Sequence, residues 1–114
     1  MKRPPIEQTE VQFMHAVIEL AKLTGWMVFH AKPAQVRPGR WVTAFDGDPG
    51  FPDLMLVSRR GLGALFAELK TSTGKLTEGQ IDWLAQLAAA GVEAHLWRPA
   101  DMPEITRRLM GGAE

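Results

Sequence analysis

The chain contains no cysteine. Disulfides and thiolate metal sites are therefore excluded, and a cytoplasmic setting is the expectation. Long apolar runs are also missing. None approaches the roughly 18 residues needed to cross a bilayer, so no membrane association is expected. The start, "MKRPPIEQTE", is basic but leads into no apolar segment, unlike a signal peptide. An excess of charge of one sign is absent too, since 13 basic residues balance 13 acidic ones. That balance speaks against strong non-specific binding to nucleic acid. No internal repeat, low-complexity tract or interdomain linker is visible.

What is present suits an ordinary globular protein: 114 residues, 46% hydrophobic and 23% charged. The expectation is one domain spanning residues 1–114, with one core and a flexible arm over residues 1–8, where Pro4 and Pro5 block regular structure. Thr9-x-x-Gln12 is a capping box and predicts a helix start. Met14, Val17, Ile18 and Ala21 follow at helical spacing, flanked by Phe13 and Leu20, and Gly25 supplies a stop. "WMVFHA", residues 26–31, reads as a strand. Residues 32–50, rich in proline and glycine, read as a long loop of the kind that often carries function. "DLMLV" (53–57) and "ALFAELKT" (64–71) read as a hairpin across a turn at Arg59–Gly63. A second capping box, Thr77-x-x-Gln80, opens a helix with Ile81, Leu84, Ala85 and Ala88 as its expected inner stripe, ending at Gly91. "EAHLW" (93–97) is a last strand, and residues 101–110 form a closing helix. The fold class is thus α/β, in the order αβββαβα.

Three charged residues sit oddly on these strands. Alternation puts Glu68 and Lys70 on one face, about 7 Å apart, while Leu65, Ala67 and Leu69 point into the core. Antiparallel pairing of the hairpin brings Asp53, at the start of one strand, beside the end of the other. Two carboxylates placed together resist ionising together, and a divalent cation removes the conflict. Mg²⁺ takes oxygen ligands and keeps several waters. Asp53, Glu68 and a backbone carbonyl, that of Leu69, are the expected protein ligands. Lys70 would stand beside the remaining water, suited to orient it and to stabilise charge developing on a phosphate. Glu10, placed by periodicity on the inward side of the first helix, is a further candidate; a first-turn glutamate still reaching water is the alternative. A Glu-x-Lys triplet or a Pro-Asp pair alone is ordinary. Both on adjacent strands, after a Gly/Pro-rich loop, are not.

"GFPDLMLV" and "AELK" resemble the Pro-Asp and Glu-x-Lys motifs of the PD-(D/E)xK nuclease superfamily. The chain is similar, more narrowly, to the VRR-NUC domain, found as a stand-alone phage and bacterial nuclease and in larger DNA-repair nucleases. "TEVQFMHAVIELAKLTGW", "FH", "AELKTSTGKLTEGQIDWLAQLAAAG" and "EAHLWRP" extend the similarity over nearly the whole chain. The resemblance implies a restriction-endonuclease-like fold, a central mixed β-sheet flanked by helices. It implies Mg²⁺ or Mn²⁺ dependence, with Asp53 and Glu68 as metal ligands and Lys70 as the catalytic lysine. Glu10 resembles the family's helix glutamate, and Gln80 the glutamine after the motif, although the capping box also accounts for Gln80. Similarity to Holliday-junction resolvases implies branched DNA as partner and a homodimer.

His30, ending the first strand, and Arg37, Arg40, Arg59, Arg60 and Lys75 are candidate DNA contacts, each also explicable as ordinary surface or packing. Trp41, in the long loop, could stack on an unpaired base or only pin the loop. Trp26, Trp83 and Trp97 are expected in the core, and His95 in a structural role. The function expected is a metal-dependent DNA endonuclease. The alternative is a catalytically silent nucleic-acid-binding module on the same fold, which would have no reason to keep Asp53, Glu68 and Lys70 together.

Overall fold

A computed structural model describes residues 8–31, 34–42 and 46–112, with the backbone alone described at 34–37 and 40–42. The arm expected over residues 1–8 lies, but for Gln8, outside them. The first helix, α1, runs Glu10–Leu23. Its capping box forms as the sequence predicts: Gln12 N donates to Thr9 Oγ1 at 3.1 Å, and Thr9 N donates to Gln12 Oε1 at 3.0 Å. Phe13, Met14, Val17 and Ala21 are its buried stripe. Gly25, at φ +86°, turns the chain into strand β1, Trp26–His30. Only glycine takes that backbone region without strain.

The main sheet has four strands in the order β1-β4-β5-β6, with β4 at Leu54–Ser58, β5 at Ala64–Leu69 and β6 at Ala94–Trp97. β1, β4 and β5 are antiparallel, while β5 and β6 are parallel, so the sheet is mixed. Helix α2, Glu78–Ala89, provides the crossover to β6. A 3-10 turn at Pro99–Asp101 leads to helix α3, Met102–Leu109.

Register sorts the side chains onto two faces, because partners across an antiparallel ladder share a face. Val28, Leu56 and Leu65 form one row, and Leu54 and Ala67 continue the same side. With Leu69 and Trp97 they pack against Phe13, Val17, Ile105 and Leu109 of α1 and α3. Burial of each large apolar side chain is worth about 1.5–3 kcal/mol. Trp26 Nε1 donates to Leu109 O at 2.9 Å and ties α3 across the core. Glu93 accepts two bonds from Arg108, whose guanidinium lies 5.1 Å over the Trp26 ring. His95 bonds Glu93 at 2.7 Å and stacks on Trp97, in keeping with the structural role expected of it.

Three expectations need correction. The long loop holds a small antiparallel ribbon, β2 at Ala34–Arg37 and β3 at Arg40–Val42. Gly39 at φ +78° follows Pro38 in its turn. Pro at the first central position and Gly at the second are the signature of such a turn, so the prolines and glycines that suggested a loop mark a tight reversal instead. Second, of the stripe expected on α2 only Leu84 is on the inner side. Ile81 is 53% exposed and Ala85 and Ala88 are exposed, whereas Gln80, Trp83 and Leu87 are half-buried along with Leu84. In an alanine-rich helix two stripes are apolar, and the one with the larger side chains packs. Third, Trp83 is only half-buried, for it sits at the edge where α2 meets the loop before β4.

Candidate functional site

Leu54 pairs with Ala67, so one step further out Asp53 stands opposite Glu68. The residues beside Glu68 in β5, Ala67 and Leu69, are fully buried in the core, and alternation turns Glu68 to the other face. Asp53 is locked in place: Leu69 N donates to its Oδ2 at 2.8 Å. Glu68 is 1% exposed. Its Oε2 accepts a bond from Gln80 Nε2 at 3.0 Å and lies 3.8 Å from Lys70 Nζ. Its Oε1 is buried with no partner among the described residues.

Burial pushes the Glu68 carboxyl from its ordinary value of 4.5 up to about 8. The neighbouring Asp53 carboxylate adds to the rise, and the Lys70 ammonium only partly offsets it. A buried carboxylate oxygen without a donor among the described residues, on a group opposite a second carboxylate, is a costly arrangement for stability alone. It is an economical one for holding a hard cation, which would satisfy Oε1 and relieve the repulsion.

Gln80 serves two purposes at once. Its Oε1 accepts from Thr77 N at 2.9 Å, completing the helix cap, while its Nε2 reaches Glu68. Helix α2 is brought to this position by two glycines that the sequence reading did not single out. A Cβ on Gly50 would fall 2.5 Å from Gln80 N and 2.6 Å from Gly79 O, and one on Gly79 would fall 2.6 Å from Pro49 O. The backbone of the loop leading to Asp53 therefore crosses the first turn of α2 with no room for side chains. The available signal was Gly79 itself, an expensive choice inside a helix. Phe51 seals the crossing, edge-on to Phe66 and Trp83 at 5.6 and 5.0 Å, and Trp83 Nε1 donates to Asp48 O at 3.2 Å.

A family model of the VRR-NUC domain matches residues 37–100, more than half of the chain. The chain belongs to the VRR-NUC family. It therefore carries a nuclease-type domain, with DNA as its substrate. No curated protein and no solved structure matches. The match spans Asp53, Glu68, Lys70 and Gln80, but begins after α1 and β1.

The other candidates lie apart from this cluster. Glu10 is exposed at the first position of α1 and joins no hydrogen bond or ion pair with Asp53, Glu68 or Lys70. The inward position expected for it is not realised: the buried stripe of α1 starts at Phe13, one turn later. Its carboxylate is favoured where it is by the positive end of the helix. Register puts His30 on the Leu54 side of the sheet, half-buried, with Nδ1 buried and unpartnered among the described residues. Lys75, Arg59 and Arg60 are exposed, and Arg60 is engaged with the carbonyls of Thr24 and Leu109. The side chains of Arg37, Arg40 and Trp41 fall outside the described residues. Among the described residues no three His, Cys, Asp or Glu side chains gather as a metal cluster. Nor is any described helix long and apolar enough to cross a membrane.

Proposed function

We propose that this VRR-NUC protein is a metal-dependent endonuclease that hydrolyses DNA phosphodiester bonds, selective for branched or junction DNA and acting as a homodimer. The observation that carries the reading is Oε1 of Glu68, buried and without a partner among the described residues, on a carboxylate that stands opposite Asp53 and whose Oε2 is 3.8 Å from Lys70 Nζ. Asp53, Glu68 and the Leu69 carbonyl would hold Mg²⁺ or Mn²⁺. Bound there, the cation would supply Lewis-acid polarisation of the phosphate and a more acidic water.

The chain's own groups account for the rest. The Leu69 amide fixes Asp53, and Gln80 fixes Oε2 of Glu68, which leaves Oε1 as the oxygen open to a cation. Lys70 presents an ammonium to the non-bridging phosphate oxygens, where negative charge grows as a water oxygen attacks phosphorus. The ester bond opposite the attacking water breaks, and the departing oxygen takes up a proton.

Incubation with a panel of four-way, flap, splayed and linear DNAs, in Mg²⁺, Mn²⁺ or EDTA, tests this reading. Cutting that requires metal, prefers branches and is lost in Lys70→Ala is the expected result. Cutting unaffected by EDTA and by that substitution would overturn the mechanism. Binding without any cutting would instead favour a silent nucleic-acid-binding module. Sedimentation at working concentration tests the homodimer.

A further inference from the structure

Lys70 is not held by its acidic neighbour. At 3.8 Å its ammonium is beyond hydrogen-bond distance of Glu68, and such a loose pair does little to fix a side chain with four rotatable bonds. Its backbone is fixed, by donation from Lys70 N to Trp97 O at 3.0 Å. Its stem passes beside the turn that follows. A Cβ on Gly74 would stand 3.5 Å from Lys70 Cδ, an ordinary van der Waals separation, and 3.1 Å from Thr71 Oγ1, so the lysine chain runs alongside Gly74 with room for no more than a methyl between them. Gly74 N donates to Thr71 Oγ1 at 3.0 Å and closes the turn.

One side chain outside the turn holds it shut. Arg98 Nη1 donates to Thr71 O at 2.6 Å and to Gly74 O at 2.8 Å. Arg98 is itself anchored, since it directly follows β6 and its N donates to Asp101 Oδ2 at 2.8 Å. The two protons of a single guanidinium nitrogen thus bind both ends of the turn, a geometry that a planar, permanently charged group supplies.

We infer that Arg98 is a positioning residue: by clamping the Thr71–Gly74 turn it sets the surface on which the Lys70 stem lies, and so the place of the ammonium beside Glu68. This rests on the reading of Lys70 as the catalytic lysine. Arg98 touches neither substrate nor metal in this role. A misplacement of about 1 Å at such a group costs on the order of 100-fold in rate.

The test compares Arg98→Gln and Arg98→Lys with the unsubstituted protein on a cleaved DNA, in Mn²⁺. Arg98→Gln is expected to lower kcat by about 100-fold with KM changed less than about twofold, and Arg98→Lys, which keeps the charge and N–H donors but not the planar fork, to restore only part of the loss. A raised KM with kcat intact would make Arg98 a DNA contact and overturn the inference. A second readout does not need activity: ¹³C relaxation at Lys70 Cε, assigned from Lys70→Arg. Arg98→Gln should loosen that carbon to the mobility of exposed Lys75, whereas unchanged relaxation in a folded variant would overturn the inference even if the protein cuts no DNA. If Arg98→Gln does not fold, Gly74→Ala decides. It leaves Arg98 in place, puts a methyl 3.1 Å from Thr71 Oγ1 so that the turn must shift beneath Arg98, and should lower kcat in the same sense; full activity with unmoved Lys70 signals would refute the positioning role.

Discussion

Glu68 shows how much one side chain can cost a fold. Its folded pKa, about 8, lies above its ordinary 4.5. Between those values the folded chain keeps a proton that the unfolded chain has released. Stability must then fall as pH rises through that window, by about 2–5 kcal/mol in all. Glu93 works in the opposite sense. Arg108 holds its pKa below 4.5, so its contribution is complete above that value and is lost only as pH falls below it. The metal-free protein should therefore melt highest near pH 5 and lower at pH 8. Glu68→Gln should flatten the decline above pH 5 and raise the melting temperature at pH 8. Mn²⁺ at pH 8 should raise the melting temperature of the unsubstituted protein and not that of Glu68→Gln. Thermal melts with and without EDTA measure all three. The conflict between Asp53 and Glu68 was legible in the sequence, because alternation and hairpin pairing are nearly sufficient to place both residues. The exposed position of Glu10 was not. Its spacing from Met14 and Val17 was helical, but periodicity does not say how far along its length a helix meets the sheet.

Helix α2 is the element on which the site depends. Thr77 and Gln80 share the cap, yet they can be separated. Thr77→Ala removes only the acceptor for Gln80 N and should cost about 1 kcal/mol, seen as a lower melting temperature with unchanged cutting. Gln80→Ala removes the cap partner and also the donor to Glu68, so it should lower both stability and kcat. Equal loss of activity in the two variants would mean that Gln80 acts only through the helix. The docking of the element is tested at Gly79. In an open helix, Gly→Ala stabilises by about 0.5–1 kcal/mol. Here the added methyl would sit 2.6 Å from Pro49 O, and Gly79→Ala should lower the melting temperature and displace Gln80 from Glu68. Chemical denaturation decides the sign. The start and end of α2 were readable from Thr77, Gln80 and Gly91. Its inner face was legible only at Leu84, because Leu84 with Ile81, Ala85 and Ala88 makes as good an apolar stripe on paper as Leu84 with Trp83 and Leu87. The β2–β3 ribbon was missed for a related reason, since each strand is too short to show a period and only Pro38-Gly39 betrays the turn.

At the scale of the molecule, the part that carries the chemistry is not the part that can stand alone. The VRR-NUC match covers residues 37–100, with both carboxylates, Lys70, Gln80 and Arg98 inside it. The face opposite the site is roofed from outside those limits. Phe13 and Val17 come from α1, Trp26 from β1, and Ile105 and Leu109 from α3, all of them buried. Cutting at the limits of the match also bares one long edge of β4, which pairs with β1 along its full length. Five large buried side chains at about 1.5–3 kcal/mol each amount to roughly the whole stability of a typical domain, about 5–15 kcal/mol. A fragment of residues 37–100 should therefore be unfolded, with a collapsed amide spectrum and no cutting of any DNA, despite holding every residue assigned to the chemistry. A chain ending at Gly112 should keep the native spectrum, because α3 and its ties to Trp26 and Glu93 remain. A well-dispersed spectrum from the 37–100 fragment would show instead that the sheet and α2 form a self-sufficient core, and that α1 and α3 are additions to it.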